Sequence, residues 1–161
     1  MAKRYNLDSS IAPELHGMKS FYDVTNAVGI PVAPGDPTNP PNEHFDVLLV
    51  QYLLEKYYEG EKFRPAGKLL LDGVFGPLTH YWMLFFYVEK ERENETTMFQ
   101  EAGNIVSWAK NGEGLFSNNM GAALIGLLNH GVFTRHPEMF NELPAKDPKF
   151  PPALRHHLTH K

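Results

Sequence analysis

Leu69-Leu70-Leu71-Asp72-Gly73-Val74-Phe75-Gly76-Pro77-Leu78-Thr79 is the stretch on which the reading of this chain turns. Asp72-Gly73 is a turn pair, because glycine enters backbone conformations that other residues resist. Phe75, two positions later, reads as a core anchor. Gly76-Pro77 launches a helix, since proline suits the first helical position, where no N–H is needed. The unit is a loop, a tight turn with an aromatic plug, then a helix.

Helical patterns lie on both sides of it. Upstream, Val47, Val50, Leu54 and Tyr57 recur at helical spacing, and Leu53 widens the stripe. Glu43 and Asp46 place acid where the dipole of such a helix is positive. Downstream, a second helix runs from Pro77 through Leu78, Trp82, Phe85 and Phe86 to the charged run Glu89-Lys90-Glu91-Arg92-Glu93. So continuous an apolar run predicts a helix covered on most sides.

Met98, Ala102, Ile105 and Ala109, with Trp108 alongside, predict a third helix ending near Asn111-Gly112. Gly103 weakens it by about 1 kcal/mol relative to alanine. A fourth helix is predicted over 118–129, through Met120, Leu124, Leu127 and Leu128, with Gly131 as its C-terminal cap. Residues 152–157 allow one or two further turns. No strong strand alternation is present, so the class is mainly α.

The ends read differently. Residues 1–29 have scattered apolar positions and predict an arm with at most one short helix. Prolines at 31, 34, 37 and 40 match the three-residue turn of polyproline II and predict a stiff strut. Its eleven residues would reach roughly 34 Å. Three regions follow: an N-terminal arm and strut (1–44), a helical domain (45–132), and a proline- and histidine-rich tail (133–161). Within the helical domain, 45–90 is the core and 91–132 a helical extension.

The segment around the turn resembles the peptidoglycan-binding domain family of small three-helix modules. Asp72-Gly73-Val74-Phe75-Gly76-Pro77-Leu78-Thr79 matches that family's D-G-x-F-G-P-x-T completely. Val50-Gln51-Tyr52-Leu53-Leu54 matches its L-Q-x-x-L helix with valine replacing leucine, and Phe86-Tyr87 falls where F-Q is usual. Gly29, Asp46-Val47 and Val50-Gln51 also fit a lead-in seen before some such domains. Trp82 departs from the pattern, standing where a small residue is normal.

This resemblance implies a peptidoglycan-binding-like module extended by two C-terminal helices, with extended arms at both ends. Gly73, Phe75, Gly76 and Pro77 would build the turn. Recognition of cell-wall glycan or stem peptide would fall near it, with Gln51, Tyr52, Asp72, Thr79 and His80 as the polar candidates. Trp82, Phe85 and Tyr87 are expected to dock the helical extension; an aromatic platform for sugars is the functional alternative for such residues.

Composition bounds the remaining choices. The chain has 161 residues, of which 42% are apolar, enough to build a core. The net charge is −4 and no long basic run occurs, which argues against nucleic acid as partner. The absence of cysteine excludes disulfides, thiolate metal sites and a cysteine nucleophile. No apolar stretch approaches the ~18 residues that cross a bilayer. The first residues have no apolar stretch of a signal sequence behind Lys3 and Arg4. Synthesis in the cytoplasm is expected, with delivery to the envelope or incorporation into a particle.

Catalytic motifs are weak. His16 and Asp23 have the spacing of a zinc carboxypeptidase pair, but no Glu-x-x-His follows. His156, His157 and His160 have helical spacing and read as a solvated tail. Gly114-Leu115-Phe116-Ser117 is not a nucleophile elbow, and Gly112-Glu113-Gly114 is a turn rather than a phosphate loop. Glu14 and Glu101 are an unremarkable carboxylate pair. The expectation is a non-enzymatic protein without metal or cofactor. Its partner would be peptidoglycan or another protein subunit. The rival class is a structural subunit of a phage tail, injection apparatus or other bacterial assembly, including a homo-oligomer joined through its arms.

Overall fold

The computed structural model describes residues 2–6, 18, 20–93, 105–107, 109, 120–141 and 147–159. In chain order its elements are β1 (Lys3–Asn6), β2 (Ser20–Asp23), β3 (Val28–Gly29), α1 (His44–Tyr57), α2 (Pro77–Arg92), β4 (Ile105–Val106), α3 (Met120–Arg135), α4 (Glu138–Asn141) and α5 (Pro152–Thr159). The fold is mainly helical, as the periodicities predict.

α1 is the central element. Every residue from Asp46 to Leu54 is buried, and so are Lys56 and Tyr57. A helix buried on all faces needs neighbours on all faces. α3 runs along it, while α2, α5 and β3 cover other parts. Gly131 makes the close approach of α3 possible: a Cβ there would lie 2.7 Å from Tyr57 Cε2. The expected role of Gly131 as a helix cap is therefore corrected. The helix continues through it to Arg135, whose guanidinium stacks 3.8 Å from the centre of the Tyr57 ring.

The N-terminal arm is a second correction. β1 and β2 pair antiparallel, with Arg4 opposite Tyr22, and Phe21, Tyr22, Val24 and Val28 have no exposed surface. Aperiodic sequence conceals this because β2 is buried on both faces and shows no alternation. Beside its pairing with β1, Tyr22 exchanges hydrogen bonds with the side chain of Asn129 on α3. Its N–H donates to Oδ1 at 2.8 Å, and Asn129 Nδ2 donates back to its carbonyl at 2.8 Å. The Tyr22 hydroxyl and Ser20 Oγ donate to the carbonyls of Met139 and Phe140.

The proline-rich stretch is folded back, not a strut. Asp36 N–H donates to Ala33 O and Asn39 N–H to Asp36 O, with Gly35 at φ +75. Asn39 closes the loop, accepting from Val32 N–H at 2.7 Å and donating to Ala33 O at 2.6 Å. Side-chain amides here supply the hydrogen bonds that a polyproline helix lacks.

The predicted third helix is also corrected where it is described. Ile105–Val106 is a strand paired with Val28–Gly29, in keeping with the β preference of branched side chains. Ala109 donates its N–H to buried Asp23. Met98, Ala102 and Trp108 lie outside the described residues. The C-terminal segment, expected to be a tail, carries Phe150 and Leu154 in the core, and α5 rests on α1.

Candidate functional site

The turn is assembled around one side chain. Gln51 on α1 is 1% exposed, and its Oε1 accepts the Gly73 N–H at 2.9 Å. Its Nε2 faces Asp72 Oδ1, Val74 O and Thr79 Oγ1 at 3.0, 3.1 and 3.0 Å. Asp72 accepts Val74 N–H at 2.9 Å, closing an Asx turn. That N–H and the Gln51 amide hold the Asp72 carboxyl below the usual carboxylate range. Gly73 takes φ +68 beneath His44, and Pro77 opens α2 after extended Gly76. Phe75 packs half-buried against the core, with its ring 6.3 Å from that of His80.

Three of the five candidate ligand residues, Gln51, Asp72 and Thr79, thus meet in one network, and the polar groups of that network hold the turn together. His80 stands beside Phe75, with a buried Nε2 that has no hydrogen-bond partner among the described residues. Tyr52 is elsewhere. Its hydroxyl donates to Asp147 Oδ2 at 2.8 Å across a cleft of about 510 Å³.

That cleft lies between α1, residues 68–71 and residues 147–149. Tyr52, Lys56 and Glu59 line it from α1 and the turn just after it, one helical turn apart in succession. Lys56 reaches Asp147 at 2.9 Å and Glu59 at 2.5 Å, and Lys149 reaches Glu59 at 2.5 Å. Burial opposes ionisation of Asp147, but the Lys149 N–H, Lys56 and Tyr52 outweigh it and lower its pKa. Lys149 and Lys56 likewise lower that of Glu59. Burial and Asp147 push the Tyr52 hydroxyl up. Lys56 is also raised, its carboxylate partners overcoming desolvation. All four groups move away from neutrality.

Leu69 floors the cleft, Leu70 is 59% exposed beside it, and Lys68 and Lys149 stand exposed at the rim. Glu55 adds a carboxylate 4.0 Å from Arg64. Sequence reasoning missed Lys56, Glu59, Asp147 and Lys149. The spacing of Tyr52, Lys56 and Glu59 was the visible signal; their pairing with residues some 90 positions later was not.

Two aromatic residues of α2, Trp82 and Phe85, meet the end of α1. Trp82 is fully buried and packs edge-on against Tyr58 at 5.8 Å, under the Arg64 guanidinium at 5.4 Å. Phe85 also meets Tyr58, at 5.7 Å. Among the described residues, the ring contacts of Trp82 and Phe85 outside α2 are with Tyr58 at the end of α1 and Phe63 and Arg64 in the loop after it. A bulky residue here fills the space between α2 and that loop, and Trp82 is unavailable as a sugar platform.

Among the described residues no group of three or more His, Asp or Glu side chains could hold a metal. His157 stacks on Phe45 at 4.4 Å instead of standing in a solvated tail. Glu14, His16, Glu101 and His160 lie outside the described residues, as do 112–117. No described helix is long and apolar enough to cross a membrane. The chain matches no family model, no curated protein and no solved structure.

Proposed function

We propose that this protein is a non-catalytic, peptidoglycan-binding-like protein that recognises cell-wall material in the cleft beside the Asp72 turn. The observation that carries the reading is the mixed-charge cleft itself, one wall of which, residues 69–71, leads directly into the stapled turn. A wall stem peptide presents carboxylates, backbone amides and amines along a short chain. Exposed Lys68 and Lys149 suit its carboxylates, and Glu55 suits its donors. Leu70 offers apolar contact. The paired charges of both signs along the cleft suit the peptide better than the glycan.

Binding is preferred to catalysis because the Tyr52–Asp147–Lys56–Glu59 network has its titrations moved away from neutral pH. A general acid or base works best with its pKa near the working pH.

Co-sedimentation with purified sacculi tests the reading. Retention at moderate salt is expected, with a loss of several-fold in the double variant Lys68→Glu, Lys149→Glu. Absence of retention by the parent protein ends the proposal.

The rival reading is an assembly subunit. Its argument from a strut falls away, because the 31–41 stretch turns back on itself, and the described parts of both ends carry core residues such as Phe21, Tyr22, Phe150 and Leu154. What favours it now is the exposed apolar face of α2, which light scattering would register as association.

A further inference from the structure

The outer face of α2 is apolar along its middle and unlike in charge at its two ends. Pro77, Tyr81, Leu84 and Val88 follow at spacings of four, three and four, the seam along which two helices pack. Tyr81 is 41% exposed, Val88 47%, and Phe63, from the loop before α2, 65%. Single exposed apolar residues are ordinary on any protein. These are contiguous: Phe63 and Tyr81 both pack against Phe85, at 5.3 and 6.3 Å, and all line one groove with Leu84 and Val88.

The charges of α2 run against its own dipole. Carboxylates stabilise the N-terminal end of a helix. The first turn of α2 has none, whereas Glu89, Glu91 and Glu93 stand at its C-terminal end. Of the two cations among them, Lys90 turns inward to the rings of Tyr57 and Phe86, and Arg92 is exposed. The other end has a cation of its own. Arg64 lies over Trp82 at 5.4 Å, and its contact with Glu55, at 4.0 Å, is a long one. The same loop follows the start of α2, with Ala66 N–H 3.5 Å from the Tyr81 hydroxyl.

We propose that this face binds a second copy of the chain, α2 against α2, antiparallel about a two-fold axis. A two-fold interface is self-complementary. The antiparallel arrangement lays the acidic end of each helix along the Arg64 loop and the positive helix start of the other copy. A parallel one would set carboxylate on carboxylate. Leu84 of one copy meets Val88 of the other close to the axis, and Tyr81 comes level with Arg92, a cation beside an aromatic face. An uncharged centre rich in aromatic residues, with arginine nearby, is the composition of an interface core. A single helix face is small, so the dimer belongs to the weak class that buries less than about 1,200 Å². The surface is separate from the charged cleft and does not rest on the wall-binding reading.

Sedimentation equilibrium of the full chain from about 10 μM to about 1 mM tests the pairing, and a monomer–dimer equilibrium is expected. Val88→Asp, at an exposed position, should weaken it about tenfold, while Leu70→Asp, exposed beside the other cleft, leaves it unchanged. The orientation is read by oxidation, since the chain has no cysteine of its own. Tyr81→Cys and Arg92→Cys proteins should form a disulfide-linked dimer when mixed. Oxidised alone, each should link far less, because like positions lie about 15 and 18 Å apart along the helices at about 1.5 Å per residue. A monomer at every concentration, an equilibrium indifferent to Val88→Asp, or cysteine variants that link to themselves as readily as to each other overturns the proposal. Sacculus retention by a strictly monomeric chain removes the dimer alone. A dimer that sacculi do not retain removes only the wall-binding reading.

Discussion

At the scale of single residues, two glycines with left-handed backbones make a controlled comparison. Gly60 sits at φ +81 with nothing within 4 Å of an added Cβ, whereas at Gly73 that atom would lie 2.3 Å from His44 Nδ1 and 2.8 Å from its carbonyl oxygen. Gly60→Ala should cost about 1 kcal/mol, the conformational penalty alone. Gly73→Ala adds a clash with backbone that cannot swing away, and should cost about 3 kcal/mol in urea denaturation. Gln51→Leu leaves the buried Gly73 N–H and Thr79 hydroxyl without their partner, and a loss of about 3 kcal/mol is expected. The turn was legible in the sequence because its chemistry is local: Asp72, Gly73 and Pro77 each act within a few positions. Gln51 was noticed only through resemblance. Gly131 was misread because a glycine that ends a helix and one that admits a neighbouring ring look alike in one dimension.

At the scale of elements, α1 and α2 were legible from periodicity and from Pro77, and the short strands were not. β3 and β4 are two residues each, too short to show any period. The loop at 31–41 misled because regular proline spacing permits polyproline II without requiring it. Asn39 and Asp36 supply competing hydrogen bonds. The C-terminal segment is fastened to α1 by charge, which makes it sensitive to pH. Asp147 and Glu59 titrate in the folded state below the ordinary carboxylate value of about 4. The unfolded chain therefore binds more protons in that range, and stability rises with pH through it. The contribution is complete above about pH 5 and disappears as pH falls through the folded values. Guanidinium denaturation at stepped pH should show this acid slope, reduced in Asp147→Asn and Glu59→Gln. An unchanged slope in both variants would place the acid sensitivity elsewhere.

At the scale of the whole molecule, the domain extends further than its recognisable part. The turn and the two helices around it are where sequence patterning is clearest, yet the core also draws on Phe21 and Tyr22 and on Phe150 and Leu154. Removing a buried phenylalanine costs about 3–5 kcal/mol and a leucine about 2–5. A chain ended after residue 146 loses one of each, a sum comparable with the whole stability of a small domain, about 5–15 kcal/mol. Such a truncation should lose cooperative thermal unfolding, as read by circular dichroism. These distant contributions were invisible beforehand because β2 is buried on both faces and shows no alternation, Phe150 and Leu154 are isolated apolar positions among mostly exposed ones, and the partners of both are settled only by the folded chain.

The bonds from Ser20 and Tyr22 to Asn129, Met139 and Phe140 span 107 to 120 positions. On a ribosome adding about 5–20 residues per second, that interval lasts roughly 5 to 24 seconds. For that time β2 has been synthesised but the groups that complete it have not. Its buried aromatics are then exposed to chaperones or to other nascent chains. β2 is made well before the groups that complete it.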